Sequence, residues 1–460
     1  MQISDLKKFL PAGAFYTELK AQENRSMSLN MLNGSLTGNS VSSSSGIMCR
    51  TYMDGFWGMA SSVTNSSESM HKVIAKAVQN SRTLSAHMMF DGAPLPANPA
   101  QGEHLYFTKK PKTGTNERIE LLKALDAYIL EKYPELNARG ASFYQLDMEK
   151  HIVTSDGGAM HTMTPRAGVT IWMKVMHEGV PIMHWDYWYG MGEYEDQIKS
   201  YKFYCEQIDL IHEELMKKKA AVHPRGGSVE CILGPRLAGI LAHEAIGHTT
   251  EADRVLTGSI AGEYLNQAVA SELITLIDVA HTWQGEICPI PVFIDDEGTA
   301  AEDTMIIENG ILKGYMHNKE SAMLMNLPLT GNARGYQYSD EPLIRMRNTM
   351  IKPGVSKLEE MIASVEDGYY LIESGSGQAD KTSEFMFGVA HGYEIKNGKL
   401  ARPIKECTIS GVAFDLLKTV QMVSDDLVWV ATGFCGKKQM IPVGMGGPAI
   451  KCTVTMGGRS

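Results

Sequence analysis

The sequence predicts an α+β protein, in which an N-terminal domain of mixed sheet and helix (residues 1–222) precedes a strand-rich C-terminal domain (residues 223–460). Three observations lead to this expectation. The chain of 460 residues is long enough for two or three domains. Its first half mixes strand and helix spacing, whereas its second half repeats turn signals between short apolar runs. With 43% hydrophobic and 21% charged residues, the composition excludes wholesale disorder.

In the first half, residues 46–53 and 56–60 read as two strands joined by a tight turn at Asp54-Gly55, where glycine tolerates positive φ. A capping pattern at 65–68 predicts a helix that lies on this hairpin. Further helices are expected over 117–131 and from about 196 to 219. Three lysines end the last helix and Pro224 follows, which places the domain boundary near residue 222.

In the second half, Asn309-Gly310 and Asn397-Gly398 each separate two apolar runs, which is a strong hairpin signal. Helical spacing recurs over 355–365 and 412–422, and the last thirty or so residues return to strands interrupted by glycine. The serine run at 42–45 is expected to be a loop or a strand edge.

Charge and cysteine usage restrict the partners and the compartment. The net charge of −10 and the pI near 5.8 argue against nucleic acid. Seven cysteines without a CxxC pair indicate a reducing compartment. Residues 1–10 lack the apolar core of a signal peptide, and no apolar run approaches the roughly 18–20 residues that cross a bilayer. We therefore expect a cytoplasmic protein with neither nucleic acid nor membrane as a partner.

The most specific chemical signal lies in residues 234–248. Pro235 suits the first turn of a helix, and that helix would present His243, Glu244 and His248. In an HExxH motif the two histidines share one face and bind one metal. Here they are five residues apart, which on a regular α-helix separates them by about 140°. To share a metal, the backbone must leave α geometry.

Gly247 is where this departure is expected, either as a widened π-type turn or as a helix end with His248 beyond it. The alternative is two unrelated histidines on a core helix. A distant third ligand is Cys435, flanked by glycines, although a buried structural cysteine fits the same pattern. Glu251 and Asp253 follow the histidines as carboxylates that could orient a ligand, and Asp253 is our candidate for that role. His317 is weaker and more typical of a surface or turn.

Several blocks in the chain resemble, in the right order, the TldD/PmbA family of bacterial and archaeal metallopeptidases. The similarity extends over nearly the full length. The blocks are HEAIGH at 243–248 with Glu251-Ala252-Asp253, DDEGT at 295–299, ENGILKGYM at 308–316, TGNAR at 330–334, GSGQAD at 375–380, and FCG at 434–436 with PVG at 442–444.

The resemblance implies the TldD-like, catalytic type of subunit. It implies Zn²⁺ on His243, His248 and Cys435, with Glu244 as the base that activates the metal-bound water. It further implies a peptidase that hydrolyses unfolded or short polypeptides inside a cavity enclosed by two subunits. The partner would be a second copy or a PmbA/TldE-like subunit, giving a homodimer or a heterodimer.

Two other functions stay open at this point. The chain could be a non-catalytic, peptide-binding partner subunit of a TldD/TldE-type complex, or Cys435 could be a nucleophile with a histidine base. We also expect that an extended substrate pairs with a strand in the glycine-rich 443–455 segment.

Overall fold

The N-terminal part is built on one large sheet in the computed structural model, which describes residues 2–13, 15–87 and 94–457. Its described strands are β1 (Tyr16–Leu32), β2 (Ser35–Met53), β3 (Phe56–Ser62), β4 (Gln101–Leu105), β5 (Ala138–Thr154), β6 (Ala159–His177) and β7 (Val180–Met191). They are ordered β3-β2-β1-β5-β6-β4, and β7 also pairs with β6. Only β4 runs parallel to its neighbour in this described sheet.

The helices of this part pack on the sheet through apolar faces. They are α1 (Ile3–Leu6), α2 (Ser67–His87), α3 (Thr115–Lys132), α4 (Tyr194–Gln197) and α5 (Tyr201–Lys217). Leu125 and Ile129 of α3 and Ile208 of α5 share a buried cluster with the sheet. The helix expected from about 196 begins later, because the Ser200 hydroxyl caps α5 by accepting the Phe203 N–H at 3.2 Å.

The serine run at 42–45 lies within β2 rather than in a loop. Ser42 pairs with Ser26 of β1, and their hydroxyl oxygens are 2.8 Å apart. Cross-strand hydroxyl contacts of this kind stabilise a sheet in the absence of apolar side chains.

The C-terminal part contains mostly short strands. Its described strands are β8 (Gly227–Leu233), β9 (Leu276–Val279), β10 (Thr282–Trp283), β11 (Glu286–Ile287), β12 (Thr304–Glu308), β13 (Ile311–Leu312), β14 (Ala333–Arg334), β15 (Leu343–Ile344), β16 (Asn348–Ile351), β17 (Asp367–Ala379), β18 (Glu384–Lys396), β19 (Lys399–Pro403), β20 (Cys407–Val412), β21 (Met422–Val423), β22 (Val428–Val430), β23 (Phe434–Lys437), β24 (Gln439–Pro442), β25 (Gly444–Gly447) and β26 (Ile450–Gly457). Its α-helices in the same ranges are α6 (Pro235–Leu241), α7 (Ala252–Leu256), α8 (Lys319–Met325), α9 (Leu358–Ala363) and α10 (Ala413–Lys418).

Two larger sheets of this part enclose α6. One is ordered β13-β12-β9-β16-β25-β22 and the other β17-β8-β26-β20-β18-β19, with β17 also paired to β18. Helix α6 contacts β25, β16 and β22 of the first sheet and β17 of the second. Both predicted Asn-Gly hairpins are present, and Asn309, Gly310, Asn397 and Gly398 all have positive φ.

The two parts of the chain meet through buried ion pairs. Arg50 of β2 lies 2.7 Å from Glu297, and Lys150 of β5 lies 2.8 Å from Asp296. The Tyr16 hydroxyl donates to the Glu297 carbonyl at 2.8 Å. These contacts fix the N-terminal sheet against the segment that follows β11. Among the described residues, no helix combines the length and the apolarity needed to cross a membrane.

Candidate metal centre

Helix α6 leads into an irregular segment that carries both histidines of the motif. Gly234 precedes Pro235, and α6 then buries Leu237 and Leu241 in the main core of the C-terminal part. From Ala242 to Gly247 the backbone is a π-helix, and a 3₁₀ turn continues from His248. The structure therefore has the widened turn, the first of the two alternatives. A π-turn has more residues per turn than an α-helix, so residues five apart come towards one face.

Two features of the sequence support this turn. The Thr249 hydroxyl donates to the Ile246 carbonyl at 2.8 Å, and the Thr250 hydroxyl donates to the Gly247 carbonyl at 3.0 Å. They thus satisfy carbonyls that the change of helix type leaves without a regular partner. A Cβ on Gly247 would lie 2.0 Å from the Met346 sulfur, so only glycine fits against that buried side chain.

His243, His248 and Cys435 come together in the interior. One potential ligand atom from each lies within 4.8 Å of those of the other two, and all three residues are buried. Cys435 Sγ is 3.1 Å from His248 Nε2, although the two residues are 187 positions apart in the chain. Cys435 reaches this point from the β23–β24 hairpin. The geometry thus unites the three residues that the family resemblance predicts as ligands.

The hairpin that carries Cys435 is held by an arginine that the sequence did not point to. Arg345 is fully buried. Its guanidinium donates to the Cys435 carbonyl at 2.7 Å and to the Gln439 carbonyl at 2.9 Å. An arginine that bonds two carbonyls of one hairpin fixes that hairpin relative to β15 and β16.

Glu251, and not Asp253, orients His248. The Glu251 carboxylate is fully buried and lies 3.0 Å from His248 Nδ1, which leaves Nε2 directed at Cys435. Arg254 and Lys437 each approach the same carboxylate to 3.1 Å. Asp253 instead pairs with Lys437 at 2.7 Å. Histidine ligands characteristically have such a carboxylate on the second ring nitrogen. Our expectation for Asp253 therefore passes to Glu251, which follows His248 by three residues.

These contacts set the charges at the site. Burial lowers the pKa of His248, but the Glu251 carboxylate and the Cys435 sulfur together outweigh it and raise that pKa to about 10. Burial raises the pKa of Cys435, but His243 and His248 outweigh it and lower that pKa to about 4. The sulfur is thereby kept as a thiolate, the form that binds soft and borderline metals.

His243 makes the case for a cation most directly. Within the described residues, neither its Nδ1 nor its Nε2 has a partner in good hydrogen-bonding geometry, although both atoms are buried. The polar group beside them is the Cys435 sulfur, whose pKa His243 lowers. A buried polar atom without a partner is unfavourable by about 1–3 kcal/mol. An orphaned imidazole beside a thiolate and a second imidazole is the donor set of a tetrahedral zinc site with one open position.

Glu244 occupies the exposed side of this group. Its carboxylate oxygens lie 3.9 Å from His243 Nε2 and 3.8 Å from His248 Nε2, and its side chain is 29% exposed. These separations exceed hydrogen-bonding distance. The Glu244 carboxylate therefore hydrogen-bonds to neither imidazole and lies beside the potential ligand atoms, on the side that is partly open to solvent.

One other sequence expectation is wrong. His317 is buried and not on the surface, and its Nδ1 lies 3.0 Å from the Ser321 hydroxyl. The strand addition expected in the 443–455 segment stays a prediction, for which little backbone is free: β25 lies between β16 and β22, and β26 pairs with β8 on one side and with β21 at 450–451 and β20 at 455–457 on the other. The glycines of this segment serve packing, because a Cβ on Gly239 of α6 would lie 3.2 Å from Gly446 backbone.

A second group of possible ligands lies on the N-terminal sheet. Glu149, His151 and His161 also offer ligand atoms within 4.8 Å of one another. Here Arg25 already pairs with Glu149 at 3.3 Å, and His161 Nε2 lies 3.1 Å from the same carboxylate. This group is charge-compensated and partly exposed, unlike the buried centre.

Comparison with known proteins identifies the family of this chain. The pattern of the PmbA/TldA metallopeptidase C-terminal domain matches residues 226–458, and that of PmbA/TldA metallopeptidase domain 1 matches residues 17–81. The metalloprotease TldD homolog of Buchnera aphidicola (strain APS) is 32% identical over 415 residues, which are 86% of this chain and 82% of that protein. The chain therefore belongs to the PmbA/TldD family of metallopeptidases.

Two further relatives agree with this membership. The zinc metalloprotease TldD homolog of Saccharolobus solfataricus is 29% identical over 77% of this chain and 78% of its own length. The crystal structure of TldE from Thermococcus kodakarensis superposes with a TM-score of 0.73 at 18% identity, covering 98% of each chain. This structural likeness confirms the predicted fold class, with its N-terminal sheet and strand-rich C-terminal part.

Proposed function

We propose that this protein is a zinc-dependent peptidase that hydrolyses peptide bonds in unfolded or short polypeptides. The observation that carries the proposal is the orphaned, buried imidazole of His243 beside Cys435 and His248. These three residues would hold the ion. When bound there, zinc supplies a Lewis acid that polarises a carbonyl and lowers the pKa of water towards neutrality.

In the proposed reaction, Glu244 moves the proton. Its carboxylate accepts a proton from the attacking water and later donates it to the leaving amine. Glu251 keeps His248 Nδ1 protonated and so fixes the direction of Nε2 throughout. Arg345 holds the Cys435 backbone in place. Glu244, which is partly exposed, thus transfers the proton, whereas the buried Glu251 and Arg345 hold the ligand residues in place.

The burial pattern supports an extended substrate. The three ligand residues are buried, and Glu244 alone of the motif is substantially exposed. A scissile bond must enter past Glu244, which suits a single unfolded chain better than a folded surface. We further propose that the working form is a dimer, with a second copy or a PmbA/TldE-like subunit, in line with the structural likeness to a TldE.

Glu244→Gln tests the mechanism. We expect it to retain zinc and to lower kcat for an unstructured peptide by about 10²- to 10⁴-fold, because the proton acceptor is lost. Glu263→Gln, an exposed carboxylate of the same region, is the matched control and should cleave normally. Cleavage by a zinc-loaded Glu244→Gln at the wild-type rate would remove Glu244 from the mechanism.

The competing functions give different results. A non-catalytic, peptide-binding subunit would cleave nothing by itself even when zinc is supplied, and Glu244→Gln would leave cleavage by its complex with a PmbA/TldE-like partner unchanged. A thiol enzyme would keep its activity after complete removal of metal by a chelator and lose it on alkylation of Cys435. Either result would overturn the proposal.

A further inference from the structure

A cavity of about 280 Å³ lies at the junction of the N-terminal sheet and the β23 hairpin, which carries Cys435. Its walls are largely aromatic and include Tyr144, Trp185, Tyr187, Tyr189 and Phe434. Phe434 directly precedes Cys435 in β23, and Tyr187 packs against the buried cluster that contains Cys435. Two residues of the cavity wall are thus linked to the proposed ligand Cys435, one through the chain and one through packing.

One side chain that lines this cavity is charged, unlike the aromatic residues around it. Arg166 lies on β6, between Leu146 of β5 and Met191 of β7, and is only 6% exposed. Its guanidinium carbon is 5.8 Å from the centre of the Phe434 ring. Its Nη1 is buried and, within the described ranges, has no hydrogen-bonding partner. A full positive charge is therefore held in an aromatic pocket without an acceptor.

The groups around Arg166 do not neutralise it. The nearby titratable side chains are phenols, those of Tyr144, Tyr189 and Tyr336, and burial lowers the pKa of Arg166 to about 10. Asp296 lines an adjoining cavity that Arg166 also borders, but Lys150 already binds that carboxylate at 2.8 Å. Among the described residues, no carboxylate forms an ion pair with Arg166.

Comparison with the other deeply buried arginines makes the exception clear. Arg50 and Arg347 are paired with carboxylates. Arg334 and Arg345 donate to backbone carbonyls. Breaking a buried pair so that one charge stays unpaired is strongly destabilising, by about 3–5 kcal/mol. A buried arginine left unpaired in a cavity whose wall includes Phe434, the neighbour of Cys435, indicates a missing anion.

We propose that Arg166 binds a carboxylate of the substrate peptide, with the aromatic walls enclosing the residue that bears it. This inference rests on the proposed peptidase function, because the anions of an unmodified polypeptide are carboxylates. A planar guanidinium matches a carboxylate with two parallel hydrogen bonds. The carboxylate belongs either to an acidic side chain or to the chain terminus, and the two sources call for separate arms of one experiment.

The test measures peptide binding in the Glu244→Gln background, so that it does not depend on turnover. Three peptides of one sequence are compared by calorimetry: one with a glutamate and a free terminus, one with glutamine in place of the glutamate, and one with an amidated terminus. We expect one of the two neutralised peptides to bind about 10- to 100-fold more weakly, as for a lost charge-assisted hydrogen bond. The weakened peptide identifies the source of the carboxylate.

Arg166→Met should abolish this discrimination and leave the affinity for the weakened peptide unchanged. Arg166→Lys keeps the positive charge but not the two parallel N–H donors of the guanidinium, and it should retain part of the discrimination between the peptides. Arg225→Met, at an exposed arginine paired with Asp367, is the matched control and should discriminate as the parent does. Equal binding of all three peptides by the parent, or unchanged discrimination in Arg166→Met, would overturn the proposal.

Thermal unfolding separates binding from a structural role. Because Arg166→Met replaces an unpaired buried charge by an apolar side chain of similar length, its midpoint without peptide should equal or exceed that of the parent. A lower midpoint would mean that Arg166 stabilises the fold, and would overturn the proposal. If Glu244→Gln proves fully active, the proposed mechanism fails, whereas the binding comparison still decides the role of Arg166.

Discussion

Replacing Glu251 by glutamine tests the reasoning about the metal centre most sharply. The substitution keeps the shape of the side chain but removes its charge. The Glu251 carboxylate is the acceptor for His248 Nδ1 at 3.0 Å and also contacts Arg254 and Lys437, each at 3.1 Å. All three groups contact one oxygen, Oε2, whereas Oε1 is buried without a partner among the described residues. Glutamine can keep an oxygen at Oε2, but that oxygen is neutral, and it holds the three groups more weakly than a carboxylate does.

The loss of zinc affinity depends on which of the three groups has another partner when the Glu251 carboxylate is removed. Lys437 retains Asp253 at 2.7 Å, and Arg254 is partly exposed to water. His248 has Glu251 as its partner on Nδ1, so the loss falls mainly on the imidazole. One hydrogen bond to a charged group is worth about 1.5–3 kcal/mol. Zinc should accordingly bind about 10- to 100-fold more weakly, the range found when a carboxylate behind a histidine ligand is lost.

Competition with a chromophoric chelator at constant pH measures this affinity. Asp253→Asn is the matched control, because it removes the other partner of Lys437 and leaves His248 untouched. Since Asp253 is 42% exposed, its ion pair should contribute about 0–1 kcal/mol, and zinc affinity should change less than about fivefold. Both variants also carry His161→Ala, so that the group of Glu149, His151 and His161 on the N-terminal sheet does not compete for zinc in the assay. Wild-type affinity in Glu251→Gln, or equal losses in the two variants, would refute the assignment.

Two further predictions concern stability. Burial lowers the pKa of His317 to about 4. Between about pH 6.5 and pH 4 the unfolded chain therefore binds a proton at this residue that the folded chain does not. The free energy of unfolding accordingly falls on acidification. Urea titration should show a loss of about 2 kcal/mol from this group between pH 7 and pH 5 that His317→Gln lacks; equal losses would contradict this. Gly247→Ala should cost about 1–3 kcal/mol, because its Cβ would lie 2.0 Å from the Met346 sulfur. Gly411→Ala, whose Cβ meets only the Phe385 ring at 3.4 Å, should cost less, and a neutral Gly247→Ala in thermal unfolding would contradict the packing argument.

Local features of the fold were predictable from the sequence because the chemistry that dictates them is local. The Asn-Gly turns at 309–310 and 397–398 need positive φ, which those residue types tolerate. Helix α3 follows from an apolar stripe whose buried members are Leu122, Leu125 and Ile129. In both cases the information lies within a few residues.

The contacts of the long strands in the N-terminal sheet could not be predicted in this way. In β1 polar and apolar residues alternate over 18–22 and 26–31, which is strand spacing. This alternation predicts one solvated face, yet Glu18, Lys20 and Gln22 are buried as well. They are buried against charged or polar groups that come from distant parts of the chain, such as Asp296 for Lys20. The spacing within a strand carries no information about such distant partners.

One part of the candidate site could likewise be predicted from local sequence, and the other part could not. The spacing of His243 and His248 alone shows that the backbone must leave α geometry if they share a metal, but it leaves open whether it does so by a widened turn or by a helix end. The convergence of Cys435 rested on a family resemblance, since a separation of 187 residues carries no local signal. Arg166 and Arg345 had no sequence signal, because what distinguishes them is the presence or absence of partners in the folded structure.

The DDEGT block at 295–299 shows that a shared motif need not belong to the reaction centre. Asp296 pairs with Lys150, Glu297 pairs with Arg50, and Asp295 accepts backbone N–H groups within its own turn. These contacts join the C-terminal part to the N-terminal sheet. The Arg166 cavity depends on the same junction, because β6 supplies the arginine and β23 supplies Phe434. A buried ion pair contributes little net stability but requires one relative arrangement of its partners. The block therefore matters to the site by fixing the two parts relative to each other, which keeps Arg166 of one part against Phe434 of the other, next to the proposed ligand Cys435.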